Sequence, residues 1–474
     1  MVKIGSSLHR IESSVTKPTN AHVISFFGTI LFLYVALSVA KLPDNQMISI
    51  LVFASTVAGT LLFWNFRLVF ALGGVGVLMA SRILSLDLMI DYMSLDVVVF
   101  LVSMMIIVET MERTGIFHAI GDYLVRISNH SPRRLLVSFM LLSALLAAMI
   151  DEVTAILIIG TVIIETCQSL KLRLKPFMLS SVFAINIGSA ATVLGNPVGV
   201  LIAFKAGLSF EDFLYWATPV ALVSLIATIL IALAYFRREL ISSDNSVSLP
   251  GHSQPVWNRD RKSLLSLGLF LGTLVLISLH VRLESFLNLE KNTLLLAIPF
   301  MAAALALAIE HKEAKQVVES GVDWWTLLFF MFLFAKTATL EETGVIHLVA
   351  NNIVEIAGQN ELLLSSILTW PMMFLSGTID NVPLIAALIP VVYAIEQSGI
   401  VVYPYWWTIL FVGCFGGNMT LVGSTANVVA LGLMEKKVGS SISFMEWFKV
   451  GFIVCIVTLA IAQSLILILQ PYPI

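Results

Sequence analysis

Charge is scarce in this chain. Asp, Glu, Lys and Arg make up 12% of its 474 residues, about half the share of an average soluble domain, which excludes an ordinary water-facing surface around one core. Cysteine is scarcer still. Cys167, Cys414 and Cys455 are an odd number without metal-type spacing, so they imply no disulfide framework and no metal site. The phosphate-cradling pattern G-x-x-x-x-G-K-[ST] is absent, so the chain has no means of its own to use ATP and no cofactor is expected. No strong basic patch suggests nucleic acid, and the net charge of −3 is small.

What fills the chain is apolar: 58% of residues are hydrophobic. Runs such as Ala21–Ala40, Met47–Trp64, Phe213–Phe236, Ser263–Leu279, Thr293–Ile309 and Phe444–Leu469 reach or approach the roughly 20 residues a bilayer requires. The expectation is an all-α protein of the plasma membrane. The polar stretch before the first run is not followed by a small-residue cleavage site, so that run reads as a retained helix. Arg237–Lys262, rich in Ser, Asp, Asn, Pro and Gly, reads as a flexible linker that divides the chain.

Either side of that linker the sequence repeats. Ile150-Asp151-Glu152-Val153 matches Ile379-Asp380-Asn381-Val382, and Glu112-Arg113-Thr114-Gly115 matches Glu341-Glu342-Thr343-Gly344. Gly188-Ser189-Ala190-Ala191-Thr192-Val193-Leu194-Gly195 matches Gly416-Gly417-Asn418-Met419-Thr420-Leu421-Val422-Gly423, and Ser209–Phe213 matches Ser443–Trp447. Four blocks in one order indicate a duplication. Expected segments are 1–20, cytoplasmic; 21–236, a first repeat with an extra leading helix; 237–262, a cytoplasmic linker; and 263–474, a second repeat.

Orientation follows from the basic residues. With a cytoplasmic N-terminus and linker, and each Asp motif at the tip of a re-entrant hairpin, all of the 27 Lys and Arg except Lys41, Arg82, Lys205, Arg282, Lys291 and Lys336 fall on the cytoplasmic side. This arrangement needs about 11 spans plus two hairpins, puts the C-terminus outside and makes the repeats inverted.

The hairpin tips hold the first candidate site residues: Asp151, Glu152 and Thr154, then Asp380 and Asn381. A carboxylate inside a span costs at least ~2.5 kcal/mol on insertion scales, so its use twice at matched positions suggests function. Plain helix capping is the competing account. Each repeat also interrupts a span with a Gly-rich stretch, contributing Asn186, Gly188, Thr192, Gly195 and Asn196 from one and Gly416, Asn418, Thr420, Gly423, Ser424 and Thr425 from the other. Matched interruptions point to a solute site where freed carbonyls, hydroxyls and amides bind; small-residue packing is the bland alternative. Glu112–His130 and Glu341–Asn360 read as interfacial helices carrying His118 and His347. Lys336 is either a counter-charge or a snorkelling side chain. Cys414, aligned with Asn186, suits a soft solute or simply packs.

These tips and Gly-rich stretches resemble the arsenite permease and sodium–proton antiporter group of the ion transporter superfamily, whose relatives include the citrate and dicarboxylate permeases. The resemblance runs from about Phe66 to the C-terminus. It implies a homodimeric elevator carrier, in which a scaffold holds still while the hairpins and broken helices move, working with or without a soluble ATPase subunit. Glu152 departs from the Asp-Asn tip many members have, and Gly199 stands where the second repeat keeps Asn427.

Three acids, with no Lys or Arg in either tip or break, repel a bare anion. They suit protons, sodium or a neutral polyol such as arsenous acid. The expectation is a proton-coupled secondary transporter, with Asp151, Glu152 and Asp380 handling protons and arsenite or antimonite efflux as the first substrate. A sodium–proton antiporter and a sodium-coupled carboxylate or anion permease are the alternatives. An intramembrane aspartyl protease is remote, because no Gly-x-Gly-Asp motif accompanies the two Asp residues.

Overall fold

The computed structural model describes residues 20–63, 66–116, 119, 131–242, 260–439 and 441–473. Among these, every regular element is a helix. Eight helices are long and apolar enough to cross a membrane, or up to ten if two bent pairs each count as one span. The chain is therefore an integral membrane protein.

The leading spans are α1 (Asn20–Val39), α2 (Asp44–Leu62) and α3 (Arg67–Ala80). α1 buries none of its residues, as expected of a helix facing lipid nearly all round. The short α4 (Leu86–Tyr92) and the longer α5 (Leu95–Glu112) form one of the bent pairs, with an angle of 48° at Met93-Ser94. Ser94 takes the left-handed conformation there, which stops α4 and redirects the chain.

The next elements make a hairpin and a broken helix. α6 (Pro132–Met149) starts with proline in its first turn, where the missing N–H costs no hydrogen bond. It ends at extended Ile150, after which Asp151 caps α7 (Glu152–Ser169). α8 (Leu174–Gly188) and α9 (Pro197–Ala206) are the halves of the broken helix, and α10 (Phe210–Tyr235) completes the set. α11 (Arg237–Ser242) follows, so the expected linker begins as helix; residues 243–259 of that linker lie outside the described residues.

The same order then recurs. α12 (Arg261–Ser278), α13 (His280–Leu287) and α14 (Thr293–Glu310) lead into a second bent pair, α15 (Ala314–Gly321) and α16 (Trp324–Glu342), with an angle of 55°. α17 (Val345–Ala357) occupies the expected interfacial segment and leaves His347 exposed; His118 lies outside the described residues. α18 (Glu361–Ser376) and α19 (Asn381–Gln397) form the second hairpin. α20 (Tyr403–Gly416) and α21 (Thr425–Val438) form the second broken helix, and α22 (Phe444–Leu469) ends the set. The Ser209 and Ser443 blocks prove to be helix starts. Each serine accepts from the backbone three residues on, at Asp212 and Glu446, whose carboxylates accept from the serine N–H in turn.

Lys336 does not snorkel. It is fully buried, and its Nζ donates to Thr56 Oγ1 at 2.5 Å and to the Phe70 carbonyl at 2.9 Å, against a face opened by Gly74. Both partners are neutral, and among the described residues no acid pairs with it. A buried ammonium without a counter-charge is expensive. Lys336→Met should thus keep stability within about 1 kcal/mol of wild type or above it, read as the melting temperature in detergent. A clear drop would show that its two hydrogen bonds outweigh the desolvation.

Candidate functional site

Both hairpin tips meet between the two breaks. The α7 tip is built by local capping. Asp151 Oδ1 accepts from the backbone N–H groups of Val153 and Thr154, both at 3.0 Å, and Oδ2 accepts from Thr154 Oγ1 at 2.5 Å. Asp151 both caps α7 and lines the cavity described below. The α19 tip differs. Asp380 makes no capping bond. Its Oδ2 accepts from Thr425 Oγ1 at 2.9 Å, and its Oδ1 has no hydrogen-bond partner among the described residues.

Glu152 points inward beside Asp151. It is 2% exposed and accepts from Ser424 Oγ at 3.2 Å through Oε1, while Oε2 meets no hydrogen-bond geometry among the described residues. Asp380 and Asn381 from the other tip and Asp151 from its own act on it. A sequence repeat thus becomes one cluster of three carboxyl groups contributed by both halves of the chain.

The breaks are held by two matched sets of contacts. Thr192 Oγ1 donates to the Ala148 carbonyl of the first hairpin, and Thr420 Oγ1 to the Gly377 carbonyl that follows α18. Gly188 and Gly195 lie so close to backbone that an added Cβ would overlap the Ala144 and Ser189 carbonyl oxygens. At Gly423 a Cβ would stand 2.6 Å from the Gly417 oxygen, and at Gly416 2.7 Å from Ser376 Cβ. Across the repeats, Asn196 Nδ2 donates to Cys414 Sγ at 2.9 Å, while Ser424 Oγ reaches Asn186 Oδ1 at 3.1 Å. Asn186 Nδ2 donates to Asn418 Oδ1 at 2.9 Å and Asn427 Oδ1 at 3.0 Å, and Asn427 Nδ2 donates to the carbonyls of Gly417 and Thr420.

A cavity of about 570 Å³ opens onto this cluster. Of the expected residues, Asp151, Glu152, Thr154, Asn381 and Thr425 line it. Asn186, Gly188, Thr192, Gly195, Asn196, Asp380, Gly416, Asn418, Thr420, Gly423 and Ser424 lie outside its lining. They hold the tips and breaks in place from behind.

Several participants were not anticipated. The bend between α15 and α16 walls the cavity and brings in Glu319 and Asp323. Asp323 Oδ1 caps α16 by accepting from Thr326 N at 3.1 Å, and Asp323 Oδ2 accepts from Thr326 Oγ1. This is the Asp-x-x-Thr spacing of Asp151 and Thr154, a signal legible in the sequence. Arg67, counted above among cytoplasmic positions, is 3% exposed. It donates to Thr326 Oγ1 at 2.5 Å, lies over the Phe329 ring and acts on Asp380. A guanidinium therefore reaches the site although neither tip nor break contains one. Its only local sign is an Arg opening an apolar helix. Asn427, noted above only as the counterpart of Gly199, is central to the amide network, accepting from Asn186 and donating to two carbonyls of the second break.

Comparison with known proteins fits this geometry. A family model described as citrate transporter matches residues 66–413. An uncharacterized transporter of Mycobacterium tuberculosis is 31% identical over 370 residues, covering 77% of this chain and 84% of the relative. The human P protein is 26% identical, over 84% of this chain and 56% of its own length. The solved structure of the YdaH transporter of Alcanivorax borkumensis superposes with a TM-score of 0.57 over 83% of this chain and 88% of that one, at 12% identity, a likeness of fold. The chain is a membrane transporter and belongs to the citrate transporter family.

Proposed function

We propose that the chain is a proton-coupled secondary carrier whose first cargo is arsenite or antimonite, extruded as the neutral trihydroxide. The observation that carries this reading is the charge of the cavity: Asp151, Glu152, Glu319 and Asp323 line it, no Lys or Arg does among the described residues, and the Arg67 guanidinium bonded to the lining residue Thr326 offsets only part of that acidity. A citrate ion, the cargo in the family's name, meets like charge there. At an effective dielectric of 20, two unit charges 4 Å apart interact by about 4 kcal/mol. A neutral polyol avoids that penalty and offers three hydroxyls to the carboxyl, amide and threonine groups at the tips. Glu152, Asp151 and Asp380 then take up and release the coupling protons.

The transport movement in this reading is an elevator stroke, made by the hairpins and broken helices against a homodimeric scaffold, with the two repeats inverted. The two bends support it by their unequal register. The α15–α16 bend faces the first tip at Asp151–Leu157, whereas the α4–α5 bend shares a smaller cavity of about 270 Å³ with Ala386–Tyr393, beyond the second tip. Exchanging those registers requires a slide of about 7 residues, or ~10 Å at 1.5 Å per residue. A soluble ATPase subunit is an optional partner.

Sodium–proton antiport is the second reading. It is favoured by the buried Asp380 Oδ1 and Glu152 Oε2, which lack hydrogen-bond partners among the described residues and suit exchange of protons for a monovalent cation. Flux in proteoliposomes under an imposed pH gradient decides among the cargoes, with arsenite, sodium and citrate offered side by side. Arsenite movement matched by opposing proton movement is expected. Sodium-driven proton flux indifferent to arsenite would establish antiport instead, and citrate uptake would restore the carboxylate reading.

A further inference from the structure

We propose that the Ser424 hydroxyl is a two-position relay that couples the protonation of Glu152 to the crossing of the two broken helices. The inference rests on the reading above that Glu152 carries a coupling proton.

Ser424 has one hydroxyl hydrogen and two acceptors within reach. Glu152 Oε1 lies at 3.2 Å and Asn186 Oδ1 at 3.1 Å. The Ala426 N–H donates to the same oxygen at 3.2 Å, which holds it between them. A single hydrogen serves one acceptor at a time. When Glu152 is ionised, the charge-assisted bond to its carboxylate is the stronger, and the Asn186 carbonyl loses this donor. When a proton from the cavity forms an O–H bond on Glu152, that group donates to Ser424 Oγ. The Ser424 hydrogen then turns from Glu152 to Asn186. The only covalent change is the transfer of that proton, which leaves a hydronium ion of the cavity water as a water molecule and forms the O–H bond on Glu152.

The output of the relay is structural. Asn186, on α8, grips Asn418 and Asn427 of the second break, and Asn427 in turn holds the Gly417 and Thr420 carbonyls. The bond from Ser424 closes this network, so a protonated Glu152 tightens the crossing and an ionised one loosens it. The remaining groups that face Glu152 are Asp151 on its own tip, Asp380 and Asn381 on the opposite tip, and Cys414 on α20. None of them spans Glu152 and Asn186. The other repeat lacks the device. There, Asn196 meets Cys414, and the position matching Glu152 is Asn381. This accounts for the unpaired third acid.

The test is an infrared titration of the reconstituted carrier, following the carboxyl band that Glu152→Gln removes, alongside the pH profile of flux. Ser424→Ala takes a donor from the carboxylate and should raise the midpoint by about one pH unit. Ser424→Thr restores the hydroxyl and the wild-type midpoint. Asn186→Ala removes the competing acceptor and should move the midpoint the opposite way, which a purely structural role does not do. An unchanged midpoint in Ser424→Ala, with the Glu152 band titrating normally in the wild type, overturns the relay alone. A wild type whose flux follows pH with no titrating Glu152 band overturns the proton-carrier reading beneath it and the relay with it.

Discussion

Asp151→Asn is expected to lower coupled flux between about tenfold and a hundredfold while leaving the folded carrier nearly as stable as wild type. The reason lies in what the substitution keeps. Asn and Asp are comparable N-caps, so an Asn at 151 can still accept from the backbone N–H groups of Val153 and Thr154. It loses the charge and the ability to bind and release a proton. Hydrogen bonds to a charged group are worth about 1.5–3 kcal/mol, which sets the size of the loss. Asp380→Asn should lose at least as much, because Asp380 accepts across the site from Thr425 and one of its oxygens has no hydrogen-bond partner among the described residues. The measurement pairs flux in proteoliposomes with the melting temperature in detergent. Wild-type flux in both variants would reduce the two acids to helix caps. If Asp151→Asn lost flux only together with melting temperature, the cap would be the explanation at that tip.

Gly195→Ala should abolish stable folding. The added methyl would meet the Ser189 carbonyl oxygen and stand 2.6 Å from the Ala147 carbonyl oxygen. Both obstacles are backbone, one in the break itself and one in the hairpin that packs on it. Neither can swing aside as a side chain would. Gly188→Ala meets the Ala144 backbone in the same way. Overpacking that a flexible neighbour absorbs costs about 1–3 kcal/mol. A backbone overlap on two sides belongs at or beyond the upper end, on the order of 4 kcal/mol. The expected result is loss of the folded species on size-exclusion chromatography after extraction. Gly199→Ala is the control, since its nearest neighbour would stand at 3.4 Å, and it should stay monodisperse. Equal behaviour of the two variants would mean that the break is looser than its geometry implies.

The helices were legible because their signals are local. A run such as Phe444–Leu469 is apolar along most of its length and becomes a single helix of the same bounds. Asp151 followed by Thr154 announced a cap, and the Gly188–Gly195 stretch announced a break, since those residue types act on the backbone within a few positions. The duplication was visible because four short blocks keep their order. The α4–α5 and α15–α16 bends were not read, because Ser94 and Val322-Asp323 sit inside largely apolar sequence and their turning depends on the helices packed around them. The burial of Arg67 and Lys336 escaped the sequence for a related reason. Charge is scored along the chain as if each residue met lipid or water, whereas both side chains are buried by helices distant in sequence.

By itself, then, the sequence determined a helical membrane protein with two acidic tips and two broken helices, because apolar length, capping and glycine are properties of neighbouring residues. Tertiary structure alone decided which groups meet at the tips. It placed Ser424 between Glu152 and Asn186, Arg67 beside Thr326, and Asp323 on the cavity wall. Those relations join residues hundreds of positions apart. Hydrogen-bond and charge partners in a low-dielectric interior are fixed by distance in space, and no local pattern of the chain encodes that distance.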